Sequence, residues 1–198
     1  MSQTHRSFFN DRADTWHNKT AQDALVRAMS QFGIKENDRV LDIGAGRGAL
    51  TLPLSTLVKT GYVVAADLSD KMLWCAKKNV HADRALYVCA DACAIAFPDQ
   101  VFDKIICYST FPHIQKPLRA LSEFLRILKP RGKALIFHNC CSRKLNHYHA
   151  QLPHVVSFDK LPKSQQLQQL MSHVGFSEIR AIERPDLYWV EARKGVTE

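Results

Sequence analysis

The stretch Val40-Leu41-Asp42-Ile43-Gly44-Ala45-Gly46-Arg47-Gly48 constrains this chain more than any other. Its first part is a short apolar run with β-branched residues, the pattern of a buried strand. Three glycines at alternate positions follow, and then Ala49-Leu50-Thr51-Leu52, where an amphipathic helix can begin. A strand, a glycine turn and a helix N-terminus together bring bare backbone to a ligand. Glycine permits the positive φ of a tight turn and carries no Cβ to hold a ligand away. The N–H groups of the first helical turn are free to meet a polar or anionic group. Taken alone, the triplet also fits a structural turn or a hairpin.

Spacing narrows the ligand. The dinucleotide fingerprint is G-x-G-x-x-G, whereas here the glycines run G-x-G-x-G with Asp42 two positions before the first. An acid is a poor neighbour for a pyrophosphate and suits a ligand with positive charge near the turn, such as an amino group or a sulfonium. The stretch resembles motif I of the class I S-adenosylmethionine (AdoMet) methyltransferases, a hydrophobic run followed by D-x-G-x-G-x-G.

Further segments extend that resemblance over nearly the whole chain. Phe8-Phe9-Asn10-Asp11-Arg12-Ala13-Asp14-Thr15-Trp16 is similar to the F-F-[DN]-x-x-A-x-x-W opening of small methyltransferases. Phe8, Phe9 and Trp16 are candidates for a lid over the cofactor or for a helix packed on the sheet. A second strand, Gly61 to Ala66, ends at Asp67, about 20 residues past the glycine loop, where related folds hold ribose hydroxyls. Asp67 also fits a helix N-cap, although Ser69 is the more natural cap for the helix from Asp70 to about Val80. A third strand, Ala85 to Cys89, leads to Asp91, placed for the adenine amino group by the resemblance or for a surface turn. Ala96-Phe97-Pro98-Asp99-Gln100-Val101-Phe102-Asp103 resembles the family's connection into strand four, Lys104 to Cys107. Leu128-Lys129-Pro130-Arg131-Gly132 resembles its turn before strand five, Lys133 to Phe137, with Arg131 where a glycine is usual.

The cofactor implied is S-adenosyl-L-methionine. The resemblance makes Asp42, Gly44, Ala45, Gly46, Gly48, Asp67, Leu68, Met72, Asp91 and Ala92 its binding residues, with Met72 against the adenine. The expected architecture is a Rossmann-like, doubly wound α/β sheet of seven strands, order 3-2-1-4-5-7-6, with strand seven antiparallel and helices on both faces. Residues 1–198 then form a single domain, with residues 1–36 as an N-terminal helical lid segment. Within the superfamily the chain resembles the small branch of methyltransferase domains 11 and 25.

Composition excludes several alternatives. No apolar run approaches the roughly 20 residues of a membrane span, and the N-terminus leads into no signal-peptide core. None of the six cysteines forms a C-x-x-C pair, and most sit in apolar contexts. Reduced thiols and a cytoplasmic location are expected. The net charge of +8 is spread along the chain without a run of five basic residues, so nucleic acid is not the expected partner. A monomer or homodimer is expected.

The reaction implied is in-line transfer of methyl to a small-molecule acceptor. The chain lacks the N-P-P-Y or D-P-P-Y signature of amide-nitrogen methyltransferases and carries Cys107-Tyr108-Ser109-Thr110 at that position. Ligands of open α/β sheets bind beyond the carboxyl ends of the strands. That rule places Tyr108, His113 and His138 at the acceptor as candidate catalytic groups, under a loop of residues 138–162. In a helix near 143–149, Arg143 and His147 share a face and are candidate acceptor ligands. No compact ligand spacing is present, so no resident protein metal site is expected. Alternatives are a polar loop of solvated histidines, a non-catalytic AdoMet- or metal-binding regulator, an RNA or protein methyltransferase, and a nicotinamide-dependent oxidoreductase. The last lacks both its glycine spacing and its catalytic set.

Overall fold

Parallel strands need helical crossovers of one hand, and the alternation of apolar runs with amphipathic segments provides them. The structure, a computed structural model, describes residues 3–16, 20–80 and 84–196. The helices are α1 (Gln3–Arg12), α2 (Gln22–Phe32), α3 (Thr51–Leu57), α4 (Asp70–Asn79), α5 (Pro117–Ile127), α6 (Ser142–His149), α7 (His154–Ser157) and α8 (Ser164–His173). The strands are β1 (Arg39–Ile43), β2 (Tyr62–Asp67), β3 (Ala85–Cys89), β4 (Phe102–Tyr108), β5 (Leu128–His138), β6 (Phe176–Arg184) and β7 (Leu187–Lys194). They form one seven-stranded sheet in the order β3-β2-β1-β4-β5-β7-β6. Strands β1 to β5 pair in parallel, and β7 runs antiparallel to both β5 and β6. Order and strand directions agree with the sequence reading.

The pleat sorts each strand's residues into two cores. Leu41, Ile43, Ile105, Cys107, Ala134 and Ile136 pack on one face against Leu121 and Phe124 of α5 and Leu167 and Met171 of α8. Val40, Ile106, Leu135 and Phe137 pack on the other against Leu25, Met29 and Phe32 of α2 and Leu54 of α3. Helix α2 ends at Gly33, whose φ of 85° lets its N–H reach Met29 and Ser30 carbonyls. Arg126 of α5 donates to the carbonyls of Ile95 and Phe97 and to Asp99, which fixes the connection leading into β4.

Two details depart from the sequence reading. Strand β5 begins at Leu128 rather than Lys133, because Leu128 already pairs with Phe102 before a bulge shifts the register. Within that segment Arg131 holds a φ of 65°, the conformation for which the usual glycine is suited. In addition, α7 breaks what reads in sequence as a continuous loop. No helix among the described residues is long and apolar enough to cross a membrane.

Candidate active site

The carboxyl ends of β1, β2 and β4 open onto one cleft of about 740 Å³, counting the part open to solvent. Asp42, Gly44, Ala45, Gly46, Asp67, Met72, Tyr108 and His113 all line it, together with Phe9, Trp16, Arg47, Leu50, Ser109 and Thr110.

The glycine loop is packed at one end and open at the other. A Cβ on Gly44 (φ 70°) would lie 2.1 Å from the Thr110 side chain, whose hydroxyl donates to the Gly44 carbonyl. A Cβ on Gly46 (φ 53°) would meet nothing within 4 Å. The Gly46 N–H donates to Asp67 Oδ2 at 2.9 Å, and the Ser69 N–H donates to Oδ1 at 2.8 Å. Ser69 is the true cap of α4, its hydroxyl accepting the Met72 N–H, so Asp67 is left to face the cleft. Each carboxylate oxygen retains a lone pair for a further donor.

Asp42 is 1 % exposed, and its Oδ2 accepts the Thr51 hydroxyl at 2.9 Å. Burial pushes its pKa up to about 7; the Thr51 bond opposes the rise and the charge of Asp67 adds to it. Burial likewise raises Asp67, against the backbone N–H groups that it accepts. Two acids raised by burial, on the floor of one cleft, favour a ligand that carries positive charge. The apolar wall of Phe9, Trp16, Leu50 and Met72 suits a flat or aliphatic body. AdoMet, with an ammonium, a sulfonium, a ribose diol and an adenine, fits this set, and the space beside Gly46 admits it close to backbone.

Residues of α1 and the segment after it border the cleft. Phe9 and Trp16 line the cleft edge to face at 5.8 Å between centroids. Arg47 of the loop donates to the carbonyls of Asp14 and Trp16. Arg6 and Asn10 of α1 bind Asp70 at the start of α4. Phe8 is buried instead, under the guanidinium of Arg12, and does not line the cleft.

The other residues named from sequence lie elsewhere. A Cβ on Gly48 would strike Val80, so this glycine serves helix packing. Leu68 is half-buried outside the cleft lining, and Ala92 belongs to the first core. Asp91 accepts the Cys93 N–H and bridges to Ala94, holding its own turn beyond the lining. Tyr108 stacks on Phe137, and its hydroxyl bonds Thr20 and Asn139.

Of the described histidines, only His113 reaches the cleft, at the end of a 3-10 turn, Phe111–His113. His138 is 2 % exposed behind it, edge-on to Tyr188, with Nε2 lacking any partner among the described residues. Burial pushes its pKa down to about 3, with His113 and His149 adding to the fall. Arg143 and His147 are exposed on the outer face of α6, while Ser142 and His149 occupy its buried face. Two residues that the sequence reading did not single out complete the surroundings of His113. Asp159 Oδ2 lies 2.6 Å from His113 Nδ1, and His5 Nε2 lies 2.9 Å from the same carboxylate.

Comparison with known proteins agrees with this geometry. A family model described as "Methyltransferase domain" matches residues 41–136, from β1 to β5. The ubiquinone/menaquinone biosynthesis C-methyltransferase UbiE of Yersinia enterocolitica is 33% identical over 171 residues, which cover 76% of this chain and 67% of that protein. That of Erwinia tasmaniensis is 32% identical over 143 residues, 63% of this chain and 57% of the relative. The chain spans about half the length of most of the curated relatives it matches. A SAM-dependent methyltransferase from Aquifex aeolicus shares the fold with a TM-score of 0.72 at 20% identity, covering 98% of this chain and 99% of that one. Haemonchus contortus phosphoethanolamine N-methyltransferase 2, in complex with S-adenosyl-L-methionine, does so with 0.76 at 20% identity, over 98% of this chain and 58% of its own. With its motif I loop, its seven-stranded sheet and these relatives, the chain belongs to the S-adenosylmethionine-dependent methyltransferase family.

Proposed function

We propose that this protein transfers the methyl group of AdoMet to a small-molecule acceptor in the cytoplasm. The observation that carries the reading is the pair of acids, buried Asp42 and half-buried Asp67, facing one cleft beside a backbone-open glycine. AdoMet, when bound, supplies a methyl group already activated by its sulfonium. The protein's task is then alignment and exclusion of water. Asp67 holds the ribose diol through its free lone pairs, and the N–H groups of Gly46 and Ser69 keep its carboxylate aimed. Asp42, once ionised, offsets the positive charge of the donor. Met72 packs on the adenine face and Asp91 takes its amino group at the outer rim. Phe9 and Trp16 close over the ligand, and Arg47 ties that closure to the loop. Tyr108 and His113, on the β4 side, meet the acceptor. Its small size agrees with a cleft roofed by aromatic side chains, and the UbiE relatives, named as C-methyltransferases of quinone biosynthesis, make a phenolic or quinol ring a reasonable first acceptor to assay.

Calorimetric titration of AdoMet and of NADH into ligand-free protein tests the cofactor. AdoMet binds and NADH does not, and Asp67→Ala weakens AdoMet by about 30- to 150-fold, the worth of a charge-assisted pair of hydrogen bonds. AdoMet affinity also rises as the pH passes upward through about 7, where Asp42 ionises. A folded Asp67→Ala variant with unchanged affinity would refute the ribose role. Formation of S-adenosylhomocysteine with a panel of phenols, quinols, thiols and amines then identifies the acceptor class.

A further inference from the structure

His5, His113 and Asp159 stand 108 and 46 residues apart in the chain, yet each offers a ligand atom within 4.8 Å of the others. They are buried, at 2 %, 7 % and 7 % exposure. The Asp159 carboxylate lies between the two rings, 2.9 Å and 3.1 Å from His5 Nε2 and 2.6 Å from His113 Nδ1. Two more imidazoles adjoin. His149 stacks on His113 with centroids 5.1 Å apart and bonds the Asp159 carbonyl through Nδ1. His138, with Nε2 buried and unpartnered among the described residues, sits behind them.

Two imidazoles on one buried carboxylate, with a third on the same residue's backbone, are more than catalysis by His113 requires. A carboxylate bond to one ring nitrogen suffices to orient that ring. Two imidazole nitrogens and a carboxylate oxygen are instead a donor set for a divalent transition ion that keeps coordination positions open. Bonds of about 2.0–2.1 Å in a tetrahedral arrangement separate ligand atoms by roughly 3.3 Å. The two histidine–carboxylate contacts are about 0.4 Å and 0.7 Å shorter than that, and since none of the three residues lies on a strand, the set opens around an ion by shifts of helix, turn and loop alone. His149, bonded to the Asp159 backbone, supports the loop that carries the carboxylate, as outer partners of metal ligands do.

We propose that His5, His113 and Asp159 bind a divalent transition-metal ion that pins α1 over the cleft. His5 rides on α1, whose Phe9 lines the cleft and packs edge-on to the His113 ring at 5.0 Å. His113 and Asp159 belong to the body of the fold, so an ion shared by the three joins lid to body. Open positions on that ion lie next to the wall that His113 contributes. Ion binding itself is independent of the methyl-transfer reading.

The test uses full-length protein stripped with chelator, without AdoMet, so that its outcome does not depend on methyl transfer. Zn²⁺ is titrated calorimetrically and Co²⁺ by its visible absorption, and amide exchange of residues 3–12 is followed with and without Zn²⁺. One ion binds per chain, His5→Ala and Asp159→Asn each weaken it by about 100-fold or more, and Zn²⁺ slows exchange in α1. His5→Gln serves as the milder variant should a deletion at α1 loosen the fold, and His173→Ala, on the exposed surface, leaves binding intact. Absence of stoichiometric uptake, or uptake unchanged in both His5 variants, overturns the site. Uptake with unchanged exchange in α1 overturns the pinning.

Discussion

Removing the hydroxyl of Thr51 tests the electrostatics of the cleft floor most directly. Thr51 is fully buried in the first turn of α3, and its hydroxyl is the side-chain donor to the buried Asp42 carboxyl. Thr51→Val keeps the shape and leaves that carboxyl with one donor fewer. A hydrogen bond to a charged group contributes about 1.5–3 kcal/mol, and a neutral one about 1 kcal/mol. The penalty therefore depends on whether Asp42 is ionised. Its folded-state pKa, about 7, lies above the ordinary 3.8. The unfolded chain thus ionises first, and stability falls as pH rises from about 4 to about 7, by up to roughly 4 kcal/mol from this one group. Above that window the contribution is constant.

Without the Thr51 donor the folded-state pKa moves higher still, and the falling limb extends past 7. Urea denaturation of both proteins at pH 5.5 and pH 8.5, with the slope against denaturant held constant as the check on two-state behaviour, reads the difference. The expected loss is about 1 kcal/mol at pH 5.5 and about 2–3 kcal/mol at pH 8.5. An equal loss at both pH values would show that Asp42 does not change charge across this range in the folded protein, and the reasoning about the cleft floor would fail.

Three further outcomes follow from other parts of the fold. Glu183 accepts the N–H and hydroxyl of Ser142 and the N–H of Ser164, capping α6 and α8 at once. Burial pushes its carboxyl up, but these hydrogen bonds outweigh it and hold the pKa below the ordinary 4.5. Glu183→Gln then costs about 1–2 kcal/mol at neutral pH, and chemical denaturation shows the deficit shrinking as pH falls through 4.5 and below. Arg131→Gly relieves a left-handed backbone that costs a non-glycine residue about 1–2 kcal/mol; after glycine's greater freedom in the unfolded chain, a thermal melt shows a net gain of about 0.5–1 kcal/mol. His113→Ala lowers turnover with the true acceptor by about 100-fold or more while AdoMet affinity stays within a few-fold, and wild-type turnover would remove His113 from the acceptor site.

Much of the fold was legible because its signals are local. The apolar runs of β1, β2 and β4 and the glycine loop name themselves, Ser69 announces the start of α4, and Gly33 the end of α2. The glycine-loop side of the cleft follows, since Asp42, Gly46, Asp67 and Met72, which line it, lie in or directly after those elements. The acceptor side was less legible for a physical reason. In α6 both faces are polar: Arg143 and His147 make as good a stripe as Ser142, Asn146 and His149. Pattern gives the period of such a helix but not which stripe is buried. That choice is made by distant groups, Glu183 at Ser142, the Leu161 backbone at Asn146 and the Asp159 carbonyl at His149.

The same argument explains why His138 and His113, one residue type at neighbouring strand ends, part company. The strand rule places both near the carboxyl edge of the sheet, and both are there. What separates them is cover. His138, the last residue of β5, pairs with Tyr188 of β7 and lies edge-on to its ring, 2 % exposed and outside the cleft lining. His113 stands nine tenths buried but on a turn beyond β4, with its ring against Phe9 of α1. Helix α1 and the β4 side of the cleft therefore meet at His113, through Phe9 on one side and the His5–Asp159 contact on the other. Any change in α1 that alters the hold of His5 on Asp159 must also be felt by His113, which shares that carboxylate and faces the cleft. Helix α1 and the His113 side of the cleft are, in this chain, one packed unit.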